Sequence, residues 1–176
     1  MAGRLDGQRA LVFIADGFED LEFWVPVMRL REEGALVTIA GPKGNATYTG
    51  KNALEASSEK AASDVSADDF DIVVVPGGWA PDKLRRYEAV TDVVRAAFDQ
   101  GKTVGLICHA GLVGISAGIV AGKRATGSLG IKDDLVNAGA TWVDQPAFID
   151  GNIVWGRVVE DIPDFCRELV AHAAAR

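Results

Sequence analysis

Sulfur, imidazole and positive charge are scarce in this chain. Its 176 residues hold two cysteines, two histidines and 18 Lys+Arg against 25 Asp+Glu, a formal charge of −7. Each scarcity excludes something. Phosphate-backbone and anionic-membrane binding need net basic surface, so neither nucleic acid nor a membrane is an expected partner. Cys108 and Cys166 are too few for a disulfide framework and suit a reducing cytoplasm. No Cys/His/acid spacing matches a zinc site, and no G-x-G-x-x-G follows the first apolar run, so no metal and no dinucleotide cofactor is expected. There is no run of about 18 apolar residues and no basic segment leading into an apolar one, so neither a membrane span nor a signal peptide is read. Linkers, repeats and low-complexity tracts are also missing, so residues 1–176 are expected to form one domain.

What the chain does contain is short apolar runs alternating with amphipathic segments. Arg9–Ala15, Ala35–Ala40, Asp71–Val75 and Thr103–Ile107 read as strands buried on both faces. Leu21–Glu33 repeats apolar residues at helical spacing and stops at Gly34, and Glu88–Gln100 does the same before Gly101. Leu112–Ala121, Ile131–Ala138 and Asp161–Ala175 are further helices, the last with Pro163 in its first turn. Thr38–Ala56, punctuated by Gly41, Gly44 and Gly50, predicts a hairpin or excursion at the sheet edge, and Phe148–Trp155 predicts a hairpin turning at Asp150-Gly151. The class is therefore α/β, with a mostly parallel sheet between helical layers.

Ligands of such sheets bind beyond the carboxyl ends of the strands. Three strand ends carry distinctive residues. The first leads into Asp16-Gly17-Phe18-Glu19-Asp20-Leu21-Glu22, the third into Pro76-Gly77-Gly78, and the fourth into Cys108-His109-Ala110-Gly111. A thiol on a sharp strand-to-helix turn is exposed to substrate, and the start of a helix favours thiolate over thiol. The same position also suits an inert buried cysteine, as Cys166 does among Ile162, Phe165, Leu169 and Val170. Glu19 and Glu22 share a helix face, although acids in a first turn can simply cap it, as Asp16 or Asp20 would. Glu22, beside Leu21, Phe23 and Trp24, is expected to point inward, keep its proton and donate a hydrogen bond to the thiolate. Gly77 and Gly78 would let backbone N–H groups approach an oxyanion, with Glu19 on the substrate side. His172, in the last turn of the terminal helix, is expected to complement its dipole.

At these residues the sequence resembles the PfpI-like family of the ThiJ/PfpI superfamily. The matching stretches are Gly17–Glu22, Pro76-Gly77-Gly78 with Ala80-Pro81-Asp82, Ile107–Ala110, Gly130–Asp134 and Asn137–Asp144, in order over nearly the whole chain. The resemblance implies a flavodoxin-like three-layer αβα sandwich, the class I glutamine amidotransferase-like fold. It implies a nucleophilic Cys108 hydrogen-bonded to protonated Glu22, an oxyanion hole from the backbone of Gly78 and His109, and His109 as base. It further implies a homo-oligomer, dimer or hexamer, in which Asp82 crosses an interface to orient His109. Trp79 replaces a basic residue, Ser128 stands where an aromatic is common, and Gly156–Asp161 keeps Arg157 but lacks the usual proline.

Two functions need this cysteine. One is a hydrolase or lyase, peptidase-like or deglycase/glyoxalase-like, acting on a small carbonyl, acyl or peptide substrate through a thiolate. The other is a redox-responsive stress protein whose cysteine is oxidised to sulfinic acid held by Glu22. His109 and Asp82 favour the enzyme, since a sensor needs no general base. A holding chaperone would need a large exposed apolar patch, of which the sequence shows no sign.

Overall fold

The computed structural model describes residues 3–176. The chain runs β1 (Arg9–Phe13), α1 (Asp20–Glu32), β2 (Leu36–Gly41), β3 (Thr47–Thr49), β4 (Glu55–Ser57), β5 (Lys60–Ala61), β6 (Ile72–Val75), α2 (Ala80–Leu84) and α3 (Glu88–Asp99). It continues with β7 (Thr103–Ile107), α4 (Gly111–Ser116), β8 (Arg124–Ala125), α5 (Lys132–Asn137), β9 (Thr141–Trp142), β10 (Ala147–Asp150), β11 (Ile153–Gly156) and α6 (Ile162–Ala174). The main sheet has seven strands in the order β10-β11-β7-β6-β1-β2-β5. All its pairings are parallel except the β10–β11 hairpin at one edge. α1 and α6 pack on one face and α3 with α4 on the other, giving the expected three layers.

The apolar runs explain this arrangement. Ile72–Val75 and Val104–Ile107 are buried on both sides, as strands under two helical layers must be. Each such Val, Ile or Leu contributes about 1.5–3 kcal/mol on burial. Gly105 faces α6 so closely that a Cβ there would stand 3.1 Å from both Leu169 and Phe165. Cys166 lies buried in α6, where burial pushes its thiol up to about 11, as suits a packing residue.

Two expectations are corrected and one is borne out. The hairpin expected over Thr38–Ala56 forms as antiparallel β3 and β4, after the first residues of that stretch complete β2 in the main sheet. β3 and β4 form a separate ribbon, and the edge strand is β5, two residues long. That ribbon folds back over the end of β1, with Gly17 N–H donating to Thr49 O at 2.8 Å and Thr49 N–H to Asp16 Oδ1 at 3.0 Å. The helix expected over Leu112–Ala121 ends at Ser116, because Gly118 turns the chain with φ +70°. His172 is not a cation serving the helix dipole: its Nδ1 shares a hydrogen bond with Thr103 Oγ1 at 2.9 Å, and burial lowers its basicity.

Candidate active site

Cys108 follows β7 directly and adopts φ +60°, a left-handed conformation that costs a non-glycine residue about 1–2 kcal/mol. The strain is held by neighbours. Its carbonyl accepts the Ser128 N–H at 3.2 Å, and Cys108–Ala110 form a turn of 3-10 helix leading into α4. The turn places Cys108 Sγ 3.3 Å from His109 Nδ1, so residues adjacent in sequence are also partners in space. Burial, with the Lys51 charge second, holds His109 below its usual 6.5, which leaves a ring nitrogen free to accept a proton.

Glu22 reaches the thiol from α1. It is fully buried at 0 % exposure, and Oε2 accepts the Gly77 N–H at 2.9 Å. Oε1 has no hydrogen-bond partner, and the Cys108 thiol is the neighbouring side chain that most favours the ionised carboxyl. Desolvation is the chief reason the carboxyl is pushed up to about 7, and the Glu19 charge adds to it. The close approach needs a glycine: a Cβ at Gly77 would overlap Glu22 Oε2 and stand 2.7 Å from Cys108 Cβ.

The thiol is not acidified by the helix start, contrary to expectation. Burial pushes it up to about 12, and the ionised Glu22 acts in the same direction. Two groups oppose this, the backbone N–H of His109 and that of Gly78, which stand near enough to the sulfur to favour its anion. Gly78 has φ +75°, and a side chain there would run into Glu19 N and Gly17 O. Gly78 and His109 therefore each offer a backbone N–H on the sulfur's side of the cavity. Gly77 does not, because its N–H is taken by Glu22 and its carbonyl by the Glu19 N–H.

The acidic run resolves into four separate duties. Glu19, rather than Asp16 or Asp20, is the helix cap: its Oε2 accepts the N–H of Leu21 and of Glu22, each at 2.9 Å. It lines the cavity, but that oxygen is committed to the backbone. Asp20 is buried and accepts the N–H of Asn52 and Leu54, each at 2.8 Å, fixing the turn between β3 and β4. Asp16 pins Thr49, and only Glu22 faces the sulfur.

That fixed turn delivers Lys51, a residue no sequence motif marked, into the wall of the cavity above Cys108. The cavity holds about 260 Å³ and is also lined by Trp79, Ser128 and the segment Val158–Glu160. Trp79 forms an exposed rim, and Arg157 steadies the segment by bonding Asp144 Oδ1 at 2.7 Å and Asp161 Oδ2 at 2.8 Å. Asp82 is not brought to the site within the protomer. Its side chain is 58 % exposed and pairs with Arg86 at 2.5 Å. Among the described residues no group of His, Cys, Asp and Glu is placed to hold a metal, and no helix is long and apolar enough to cross a membrane.

A cysteine on a strained turn at the end of a parallel strand, with an acid from the first helix against it, defines the class. Residues 8–172 match the DJ-1/PfpI family, and the chain belongs to it. A deglycase of Pyrococcus abyssi is 42 % identical over 162 residues, covering 92 % of this chain and 97 % of that protein. Drosophila melanogaster DJ-1beta superposes with a TM-score of 0.89 at 28 % identity, covering 100 % of this chain and 92 % of the other. A two-domain Anabaena variabilis protein with DJ-1/ThiJ/PfpI-like and ferritin-like domains gives 0.91 at 34 % identity, covering 93 % of this chain and 47 % of that one.

Proposed function

We propose that the protein is a cysteine-dependent enzyme that attacks the electrophilic carbon of a small carbonyl or acyl compound, a hydrolase or lyase of the deglycase kind. The observation that carries this is Cys108 Sγ at 3.3 Å from a His109 nitrogen kept unprotonated by burial, with the backbone N–H groups of Gly78 and His109 near the sulfur. The thiol proton passes to His109 Nδ1, or stays on Glu22 when the carboxyl holds it. The sulfur forms a C–S bond, the carbonyl π pair moves to oxygen, and the N–H groups of Gly78 and His109 receive that oxygen. A cavity of about 260 Å³ behind the Trp79 rim suits a small substrate better than an extended peptide. The deglycase name of the Pyrococcus abyssi relative supports the same reaction class.

A redox sensor needs no general base, and the His109 nitrogen 3.3 Å from the sulfur favours the enzyme. Among the described residues His109 Nε2 makes no hydrogen bond. We assign it Asp82 of the partner subunit in a homo-oligomer, where the carboxylate would keep the proton on Nε2 and the lone pair on Nδ1. Incubation with methylglyoxal, glycated thiols and fluorogenic peptides should show turnover of the small carbonyl substrates, abolished in Cys108→Ser and strongly reduced in His109→Ala. Turnover of none, beside rapid peroxide oxidation of Cys108, overturns the enzyme reading. Asp82→Ala should lower activity and a forced monomer should lose it; a fully active monomer removes the shared site.

A further inference from the structure

A second cavity is larger than the one above Cys108. A cavity of about 530 Å³ opens between the segments that follow β1 and β2 and the helix α2 that follows β6. It shares no lining residue with the thiol cavity. From β1 the chain passes to β2 on one side and then to β6 on the other, so the loops beyond β1 and β6 part. Crevices at such a switch point are where open parallel sheets bind ligands.

Its charge is opposite to that of the chain. In a protein of net charge −7, Lys43, Lys83 and Arg86 converge on this wall against one acid, Asp16. Asp16 Oδ1 is occupied by the Thr49 N–H, and Arg86 is paired with Asp82, which lies outside the wall. Neither Lys43 nor Lys83 makes an ion pair among the described residues. Three cations suit a group with more than one negative charge and several acceptor oxygens, which describes phosphate better than a carboxylate. Tyr48 and Tyr87 supply the remaining broad surfaces, and the volume lies within the roughly 300–1,000 Å³ of small-molecule sites, so room remains for a body beyond the phosphate.

We propose that this cavity binds a small phosphorylated molecule, with the phosphate among Lys43, Lys83 and Arg86 and the body against the tyrosines. The test is calorimetric titration of the whole protein with inorganic phosphate, adenosine monophosphate and adenosine at low salt. Adenosine monophosphate should bind saturably and compete with phosphate, while adenosine should not bind. Each lysine removed should weaken binding about tenfold, so Lys43→Ala with Lys83→Ala should weaken it about 100-fold, and Cys108→Ser should leave it unchanged. No saturable binding of either phosphate compound, equal binding of adenosine, binding retained by the double variant, or loss in Cys108→Ser would each overturn the assignment. Because both lysines are exposed, the double variant is expected to keep the wild-type melting temperature.

Discussion

Replacing Glu22 by Gln isolates the proton that the site shares. Gln keeps the shape, accepts the Gly77 N–H through its oxygen and offers an N–H to the sulfur, so the packing of a fully buried residue is preserved. What it loses is the ability to hold and release a proton. In the native protein the carboxyl–thiol pair releases its first proton near 7, the value to which burial lifts Glu22. The remaining proton then lies on one of the two groups, and the form with it on the carboxyl carries the thiolate. Activity should therefore rise with pH up to about 7 and level off. In the variant the thiol titrates alone. Burial keeps it above the ordinary 9.0, and removing the Glu22 charge brings it below 12. The ascending limb of kcat/KM then moves from about 7 to at least 9, two pH units, while the thiolate present at neutral pH, set in both proteins by the thiol's hold on its proton beside an uncharged neighbour, changes little. The assay is the pH profile of kcat/KM for the best small carbonyl substrate, with thiolate ultraviolet absorbance titrated in parallel. A limb that stays near 7 in the variant refutes the shared proton.

The same variant should change stability in a pH-dependent way. The folded carboxyl ionises near 7 instead of 4.5, so its stabilising effect is complete below 4.5 and is lost as pH rises through 7, a span worth about 3 kcal/mol that Glu22→Gln should erase. Parallel urea-unfolding profiles for both proteins from pH 4.5 to 8 would count against it. Gly77→Ala drives a methyl into Glu22 Oε2 and against Cys108 Cβ, so activity should collapse with a stability loss of about 1–3 kcal/mol, and a variant of wild-type kcat/KM would contradict the packing. Asp20→Ala leaves the Asn52 and Leu54 amides unpaired, at about 1–3 kcal/mol, and should make the β3–β4 turn sensitive to limited proteolysis while raising KM through the loss of a fixed Lys51. Unchanged cleavage at that turn would refute the anchoring role.

Much of this was legible in the sequence because it depends on local pattern. Ile72–Val75 and Thr103–Ile107 could only be strands buried on both faces, and Gly34 and Gly101 stop α1 and α3 as their positions require. Cys108, His109, Glu22 and Gly78 were readable because strand ends in this class converge. The β5 edge strand was not, since two residues carry no period. Lys51 was invisible for a different reason: it reaches the cavity only because a buried Asp20, 31 positions earlier, folds its turn back over β1. Four acids in seven residues look alike on paper, and only burial and backbone partners separate the cap, the two anchors and the proton carrier.

The failed expectation for the thiol shows which effect governs the site. A helix start stabilises a nearby anion by about 0.3–1 kcal/mol, at most about 2. Raising the thiol from 9.0 to about 12 corresponds to about 4 kcal/mol against the thiolate, so burial and Glu22 outweigh the dipole. A cysteine meant to react freely with any oxidant would be placed where that balance is reversed. Here the sulfur becomes nucleophilic only if the proton has somewhere to go, and the two nearest places are His109 Nδ1 at 3.3 Å and Glu22. Both acceptors lie in the wall of a small cavity. A substrate carbonyl entering it meets the two backbone N–H groups as its oxygen gains charge, and that charge is what makes the proton transfer favourable. On the proposed reading, the buried thiol is kept unreactive until a substrate is in place.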